Sequence, residues 1–360
     1  MKEIHVCVDA RALPWSGIGR YLGENLRRLV GEPGFRWTLL GDPDRIAAAG
    51  IPTGGPSRVR AWSRAIFSPL EQAEYPRVIP PCDVFWAGHF NVPLLPIRAR
   101  RRVATLYDLQ PIAQTAERSW LRRAYARLLF GRAARSRGIF TISDFSSKEI
   151  QHYLGVAPGK IHRIYCGVDA SFAAGGDPQP RKGGPYLLFV GNVKPHKNLA
   201  GSLEGFRRLA DPPHGLRFVI VGKREGFHSP ERGLGELLTA LGDRVLFTGR
   251  VPEAELKAWY RDASALVFPS FYEGFGLPIL EGLAFGLPVV TSRAASIPEV
   301  GGDLVHYCDP SDPSSIAASM GRALASGRPP AGKVAAHLAR FSWAESARRH
   351  LEVLRTVGES

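Results

Sequence analysis

Short apolar runs alternate with longer stretches of helical period from one end of the chain to the other. The run Ile4–Val8 predicts a buried strand, and residues 18–30 predict a helix. Runs at 36–40, 83–87, 103–106 and 138–142 predict further strands, with helices over 119–135 and 144–154 between them. Strand and helix in repeated alternation predict a mostly parallel sheet covered by helices, because a parallel pair needs a crossover long enough to hold one.

The alternation stops at 171–185, SFAAGGDPQPRKGGP, where Gly and Pro crowd together and no apolar period runs. That is the composition of a linker. A second series follows, with strands expected at 186–190, 218–221, 245–248, 265–268 and 289–291, and helices at 198–210, 253–262, 278–285 and 312–326. The fold class is therefore α/β, with two Rossmann-like doubly wound domains at 1–170 and 186–340. A last helix is expected within 341–360. Ser342 and Glu345 have capping-box spacing, and Trp343, Ala347, Leu351 and Leu354 follow at helical spacing. This segment is expected to pack back on the first domain.

A chain of 360 residues has room for two cores. Its 44% hydrophobic and 22% charged content excludes a disordered chain. Lys and Arg outnumber Asp and Glu by 47 to 33, a formal charge of +14. The excess suits a polyanionic partner, although a coding bias toward arginine accounts for part of it equally well. Cys7, Cys82, Cys166 and Cys308 are far apart and form no Cys/His cluster, so reduced core thiols are expected, with no metal site. The first apolar run ends at Asp9 and no 18-residue apolar segment exists, which predicts neither a secretory signal nor a membrane span. The expected location is cytoplasmic, with any membrane contact peripheral.

Three loops carry the candidate chemistry. Gly17-Ile18-Gly19-Arg20-Tyr21 opens the first helix, where free backbone N–H groups suit a diphosphate. It departs from the dinucleotide fingerprint, because Leu22 stands where the third Gly belongs. A plain tight turn explains it as well. Gly191–Leu199, GNVKPHKNL, again joins a strand to a helix; Asn198 is expected to cap that helix, and Lys194 and Lys197 can neutralise phosphate. In FPSFYEGFGLPILEGLAFGLP, residues 268–288, Glu273 falls in a Gly-containing loop and Glu281 eight residues later inside the helix that the loop opens. Carboxylates with two acceptor oxygens can grip vicinal hydroxyls, and the amides of Gly274, Phe275, Gly276 and Leu277 can hold a hydroxyl or an anion.

The last segment resembles the E-x7-E signature of retaining glycosyltransferase family 4, which has the GT-B fold of two Rossmann-like domains facing across a cleft. Further stretches resemble the same family in order: the GIGRY loop, Thr141–Ser146, Cys166–Asp169, GNVKPHKN, Val221–Lys223, Thr248–Leu256, Ser296–Val300 and Phe341–Trp343. The likeness implies a nucleotide-sugar donor, a glycan acceptor, and no cofactor or essential metal. It places Lys197 on the donor diphosphate, with Gly17 and Gly19 facing that group from the other domain. Glu273 and the Gly274–Leu277 amides would hold the donor sugar, Glu281 the ribose hydroxyls, and Arg250 and Val251 the base. Many relatives carry Arg where Asn192 stands, and Lys223, Lys194 or Arg20 would then supply the second cation. Many also carry a His-Asp pair where this chain has Tyr107-Asp108. His89, Tyr107 and Asp108 are the acceptor-side candidates, with Asp108 also a candidate weak base.

The likeness runs furthest toward bacterial mannosyltransferases of O-antigen and related polysaccharides, which implies GDP-mannose as donor and a lipid-linked glycan as acceptor. A UDP-glucose or UDP-GlcNAc transferase is the alternative. Outside the family, a non-enzymatic polyanion-binding protein would explain the charge but not the paired glutamates, and no nucleic-acid motif is present. Leu121, Ala124, Tyr125, Leu128 and Leu129 are expected to share one helix face, with Arg123 and Arg127 roughly opposite, a surface for anionic lipid or for packing on its own domain.

Overall fold

The computed structural model describes residues 3–113, 120–169, 172–173, 184–223 and 233–360. The chain divides into two compact units, one formed by Met1–Gly167 with Ser342–Ser360 and the other by Val168–Phe341. Most of the segment 171–185 lies outside the described residues.

In the first unit the elements run β1 (Ile4–Asp9), α1 (Ser16–Leu29), β2 (Phe35–Gly41), α2 (Pro43–Ala48), β3 (Ser57–Ala61), α3 (Pro69–Val78), β4 (Cys82–Ala87), β5 (Ala99–Thr105), α4 (Gln110–Ala113), α5 (Trp120–Ala133), β6 (Gly138–Thr141), α6 (Asp144–Leu154) and β7 (Ile161–Arg163). Among the described residues seven strands are parallel, in the order β3-β2-β1-β4-β5-β6-β7. Alternation along β1 splits the core into two layers. Val6 and Val8 pack with Leu22, Leu26, Trp37 and Trp86, while Cys7 joins Tyr75, Phe85, Phe130 and Ile139 on the other face.

The second unit holds β8 (Tyr186–Val190), α7 (Leu199–Arg207), β9 (Arg217–Val221), α8 (Leu234–Leu241), β10 (Val245–Gly249), α9 (Glu253–Arg261), β11 (Ala265–Phe268), α10 (Leu277–Ala284), β12 (Val289–Ser292), α11 (Ile297–Gly301), β13 (His306–Cys308), α12 (Pro313–Ser326) and α13 (Ala331–Leu338). Its six described strands are also parallel, in the order β10-β9-β8-β11-β12-β13. Both units are Rossmann-like, as the sequence predicts.

The final helix, α14 (Trp343–Glu359), belongs to the first unit and lies against α1 and β1. Ser342 caps it by accepting a hydrogen bond from the Glu345 amide. Its buried face carries Trp343, Ala347, His350, Leu354 and Val357. Ser346 donates to the Asn25 amide oxygen at 2.9 Å, and the His350 ring lies 3.1 Å from the Tyr21 hydroxyl. Gly358 allows the helix to approach closely, since a Cβ there would meet Ile4 at 2.6 Å.

The face predicted for α5 is rotated in the structure. Ala126, Leu129, Phe130 and Ala133 are buried, whereas Leu121, Ala124 and Leu128 are exposed beside Arg127. Phe130 stacks on Phe90 and, with Ala126 and Ala133, joins the core cluster that holds Ile112 of α4 and Ile139 of β6, which turns that face inward.

Candidate functional site

In the second unit the strand order reverses between β8 and β11, so the loops that follow these two neighbours diverge and leave a crevice at their carboxyl ends. Those loops carry GNVKPHKN and the E-x7-E segment. Three contacts join them. The Phe271 amide donates to the His196 carbonyl at 2.8 Å, the Asn198 side-chain amide donates to the Pro269 carbonyl at 3.1 Å, and Lys197 Nζ donates to Glu273 Oε1 at 2.6 Å.

The local sequence builds each position. Pro195 starts a single 3-10 turn over Pro195–Lys197 and Asn198 ends it in the left-handed region, at φ 59°. Asn tolerates that conformation better than most residues. Asn198 stands at the expected N-cap position of α7 but makes no side-chain cap hydrogen bond, because its amide group also donates to the Pro310 carbonyl at 2.7 Å. Lys197 then points back over the Phe268 ring, 4.7 Å from its centroid. Gly276, at φ 108°, turns the chain into α10, and the Ser296 hydroxyl lies 2.9 Å from the carbonyls of both Glu273 and Phe275.

Glu281, on α10, is only 4% exposed and accepts a hydrogen bond from the Tyr260 hydroxyl at 2.6 Å. Tyr260 is held flat against Phe285, with ring centroids 5.8 Å apart. Beside these loops, Gly222 lets the end of β9 pass beneath the turn at Gly191; a Cβ there would sit 2.0 Å from the Gly191 carbonyl oxygen. Asn192 is half-buried and Lys223 exposed at the ends of β8 and β9, and Arg250 and Val251 follow β10. The structure thus gathers Asn192, Lys197, Lys223, Arg250, Val251, Glu273–Leu277 and Glu281 at the carboxyl ends of four adjacent strands.

The remaining candidates lie in the first unit, whose strand order reverses between β1 and β4. Gly19 is required locally, because a Cβ would fall 2.0 Å from the Leu13 carbonyl oxygen, while Gly17 is exposed with open space around it. His89 follows β4 inside a ring of Trp15, Phe67, Phe90 and Tyr107. Burial pushes its imidazole down to about 3, so the ring is neutral, and its Nδ1 has no hydrogen-bond partner among the described residues. Tyr107 braces the same turn by donating to the Gly88 carbonyl at 3.0 Å. Asp108 accepts from the Gln110 amide at 3.0 Å at the start of α4.

Sequence reasoning missed two groups. Tyr260 reads as one more aromatic on the apolar stripe of α9, and only its contact with Glu281 marks it. Arg11 reads as a loop charge but is buried between Asp9 and Glu71, at 2.6 and 2.9 Å, with Trp62 beneath it at 3.5 Å. Arg11, Trp15, Asp42, Arg45, Trp62 and Arg64 line a cavity of about 330 Å³ at the carboxyl ends of β1, β2 and β3.

Residues 15–172 match the family model described as Glycosyltransferase Family 4, and residues 184–326 match the one described as Glycosyl transferases group 1. The chain is 31% identical over 247 residues to O-antigen chain mannosyltransferase B of Escherichia coli, across 63% of this chain and 62% of that protein. It is 29% identical over 228 residues to O-antigen chain mannosyltransferase RfbU of Salmonella typhimurium, across 63% and 61%. The chain spans about three fifths of the length of these curated relatives. Among solved structures, Anabaena Alr3699/HepE in complex with UDP and glucose superposes with a TM-score of 0.75 at 16% identity, covering 98% of this chain and 100% of that one. That likeness establishes the shared GT-B fold. The first unit thus matches a domain of glycosyltransferase family 4 and the second a domain of the glycosyl transferases group 1.

Proposed function

We propose that this protein is a retaining glycosyltransferase that moves mannose from GDP-mannose to a lipid-linked glycan during synthesis of a bacterial surface polysaccharide. The observation that carries the reading is the meeting of Lys197 and Glu273 at the strand-order reversal of the second unit, with Glu281 buried on α10, the helix that the Glu273 loop opens. The matched O-antigen mannosyltransferases support the choice of sugar and pathway.

On this reading Lys197 neutralises the diphosphate as it departs, and the partial positive charge at the N-terminus of α10 adds to it. Glu273 accepts hydrogen bonds from hydroxyls of the donor sugar. Glu281, oriented by Tyr260, accepts from the ribose. The acceptor hydroxyl attacks from the face that the diphosphate leaves, and the leaving group takes part in removing its proton. Catalysis then rests mainly on orientation and on stabilising the leaving charge. Neutral His89, with Asp108 and Tyr107 nearby on the chain, forms the acceptor-side candidate group.

The lipid-linked acceptor is supported by the outer face of α5. Trp120, Leu121 and Leu128 are 74%, 59% and 55% exposed there. Arg127, Gly131 and Arg135 continue the helix into a groove of about 930 Å³ that Tyr153 and Lys160 also line. Apolar side chains rimmed by cations suit the interface of an anionic membrane.

The test is thermal unfolding with GDP, UDP, ADP and their sugar conjugates, followed by transfer assays. A ligand at about 100 times its dissociation constant adds roughly 2.7 kcal/mol. Selective stabilisation by GDP and GDP-mannose, lost in Lys197→Ala, is the expected result. A UDP-selective shift would discard mannose, and no shift with any nucleotide would discard the donor site.

A further inference from the structure

The Lys197–Glu273 contact does more than position two side chains, because each is the charge the other would need to lose before a donor could bind. The inference drawn from it rests on the transferase reading above. We propose that Glu273 neutralises the phosphate-binding cation of the empty enzyme, and that a diphosphate releases Lys197 efficiently only while it still carries its sugar.

The pair is built to persist. Its N–O distance is 2.6 Å, and the two side chains are only 17% and 11% exposed, so water screens it weakly. Neither end is free to drift. The Lys197 backbone ends a 3-10 turn locked by Asn198, and its ammonium lies against Phe268. The Glu273 backbone is held through its carbonyl by Ser296, and its loop is tied to His196 by Phe271.

Consider what each ligand does to that pair. A nucleoside diphosphate offers oxygens to Lys197 and so takes it from Glu273. The carboxylate is then left part-buried beside a second anion, with no partner in exchange. A nucleotide sugar makes the same substitution but brings hydroxyl groups that donate to Glu273. Lys197 gains phosphate, Glu273 gains hydroxyls, and no charge is stranded. The exchange therefore favours the donor over the diphosphate product. Once the sugar has been transferred, Glu273 recovers Lys197 and drives the diphosphate out. Lys194, Lys223 and Arg250, near the same strand ends, still attract phosphate in either state.

Calorimetric titration of the full chain with GDP, GDP-mannose, UDP and UDP-glucose tests this. In Glu273→Gln the amide keeps the size of the side chain and removes its charge. The diphosphate of whichever nucleotide the wild type prefers is expected to bind about tenfold or more tightly, a change of about 1.4 kcal/mol. The matching nucleotide sugar is expected to gain less or to weaken, so the ratio of the two dissociation constants falls. Lys197→Gln is expected to weaken both. If Glu273→Gln does not fold, Glu273→Asp, which draws the charge back by about one C–C bond, 1.5 Å, carries the same test at smaller amplitude. Diphosphate binding that is unchanged or weaker in the folded variant overturns the exchange and leaves the transferase reading intact, provided the wild type binds a nucleotide sugar. A wild type that binds none of the four overturns the reading itself and the exchange with it.

Discussion

Asn198 offers the sharpest test of how the donor loops are held. Its side-chain amide donates to two carbonyls, Pro269 at 3.1 Å and Pro310 at 2.7 Å, and the residue is 6% exposed. Gly201 makes room for it, since a Cβ there would meet Asn198 Oδ1 at 2.3 Å. Asn198→Gly keeps the left-handed backbone available and removes both hydrogen bonds. Each is worth about 1 kcal/mol net, and buried carbonyls left unpaired add to that, so a loss of roughly 2–4 kcal/mol is expected. Asn198→Ala removes the same bonds and adds roughly 1 kcal/mol or more for a Cβ in the left-handed region. At about 2–4 °C per kcal/mol, the Gly variant should melt roughly 5–15 °C lower and the Ala variant lower still. Scanning calorimetry can follow the transition that a bound nucleotide sugar shifts, which isolates the second unit in a chain that need not unfold in one step. The size of the loss in the Gly variant is the diagnostic, because Gly at an ordinary N-cap costs only about a few tenths of a kcal/mol. A Gly variant within about 1 °C of wild type, or an Ala variant more stable than Gly, would refute the claim that this amide ties the loops.

Three further outcomes are expected. Tyr260→Phe deletes a hydroxyl that donates to buried Glu281 at 2.6 Å; a hydrogen bond to a charged group is worth about 1.5–3 kcal/mol, so titration should find donor affinity at least about tenfold lower in a folded protein. His89 and His350 are pushed down by burial to about 3 and about 4, and regain values near 6.5 on unfolding. The unfolded chain then takes up the extra protons, so this stability is complete above about pH 6.5 and is lost as pH falls toward 4, by up to about 2 kcal/mol per histidine at pH 5. Denaturant titrations should show that loss between pH 7 and 5, and His89→Phe should shrink it; equal slopes in the two proteins would contradict the buried, neutral ring. Finally, replacing Trp120, Leu121 and Leu128 together by Ser should leave the melting temperature nearly unchanged, since all three are exposed, yet abolish sedimentation with vesicles containing anionic lipid.

The strands were the most readable part of the chain. A parallel strand covered on both faces is a continuous apolar run, and Tyr186–Val190 and Ala265–Phe268 are buried throughout, so their bounds can be read directly. The edges were not readable for the converse reason. In Ser57–Ala61 only Ser57 is buried, and the strand is written largely in arginine and alanine. The short edge strands Ile161–Arg163 and His306–Cys308 carry no apolar run at all. The outward rotation of α5 was hidden because leucine and alanine signal the same face whether they meet a core or solvent. Within the site, Glu273, Glu281 and Lys197 announce themselves by spacing and charge. Asn198 and Tyr260 do not, because their roles depend on carbonyls and carboxylates more than 20 residues away, and Asn198 looks like a helix cap from its neighbours alone.

Because α14 completes the first unit, the half of the protein that is synthesised first is the last to be finished. As the ribosome releases residues 1–167, the grooves that will receive Trp343, His350 and Leu354 stand open, with Ile4, Trp86 and Phe140 among the apolar groups lining them. They remain uncovered while the whole second unit is made. The nascent chain therefore presents a sticky, incomplete sheet layer for the time needed to translate residues 168–341, on the order of ten to thirty seconds at about 5–20 residues per second. Selection on the surface of the first unit has to answer to that interval as well as to the finished fold, and a nonsense codon anywhere before position 343 leaves a product that never acquires its closing helix.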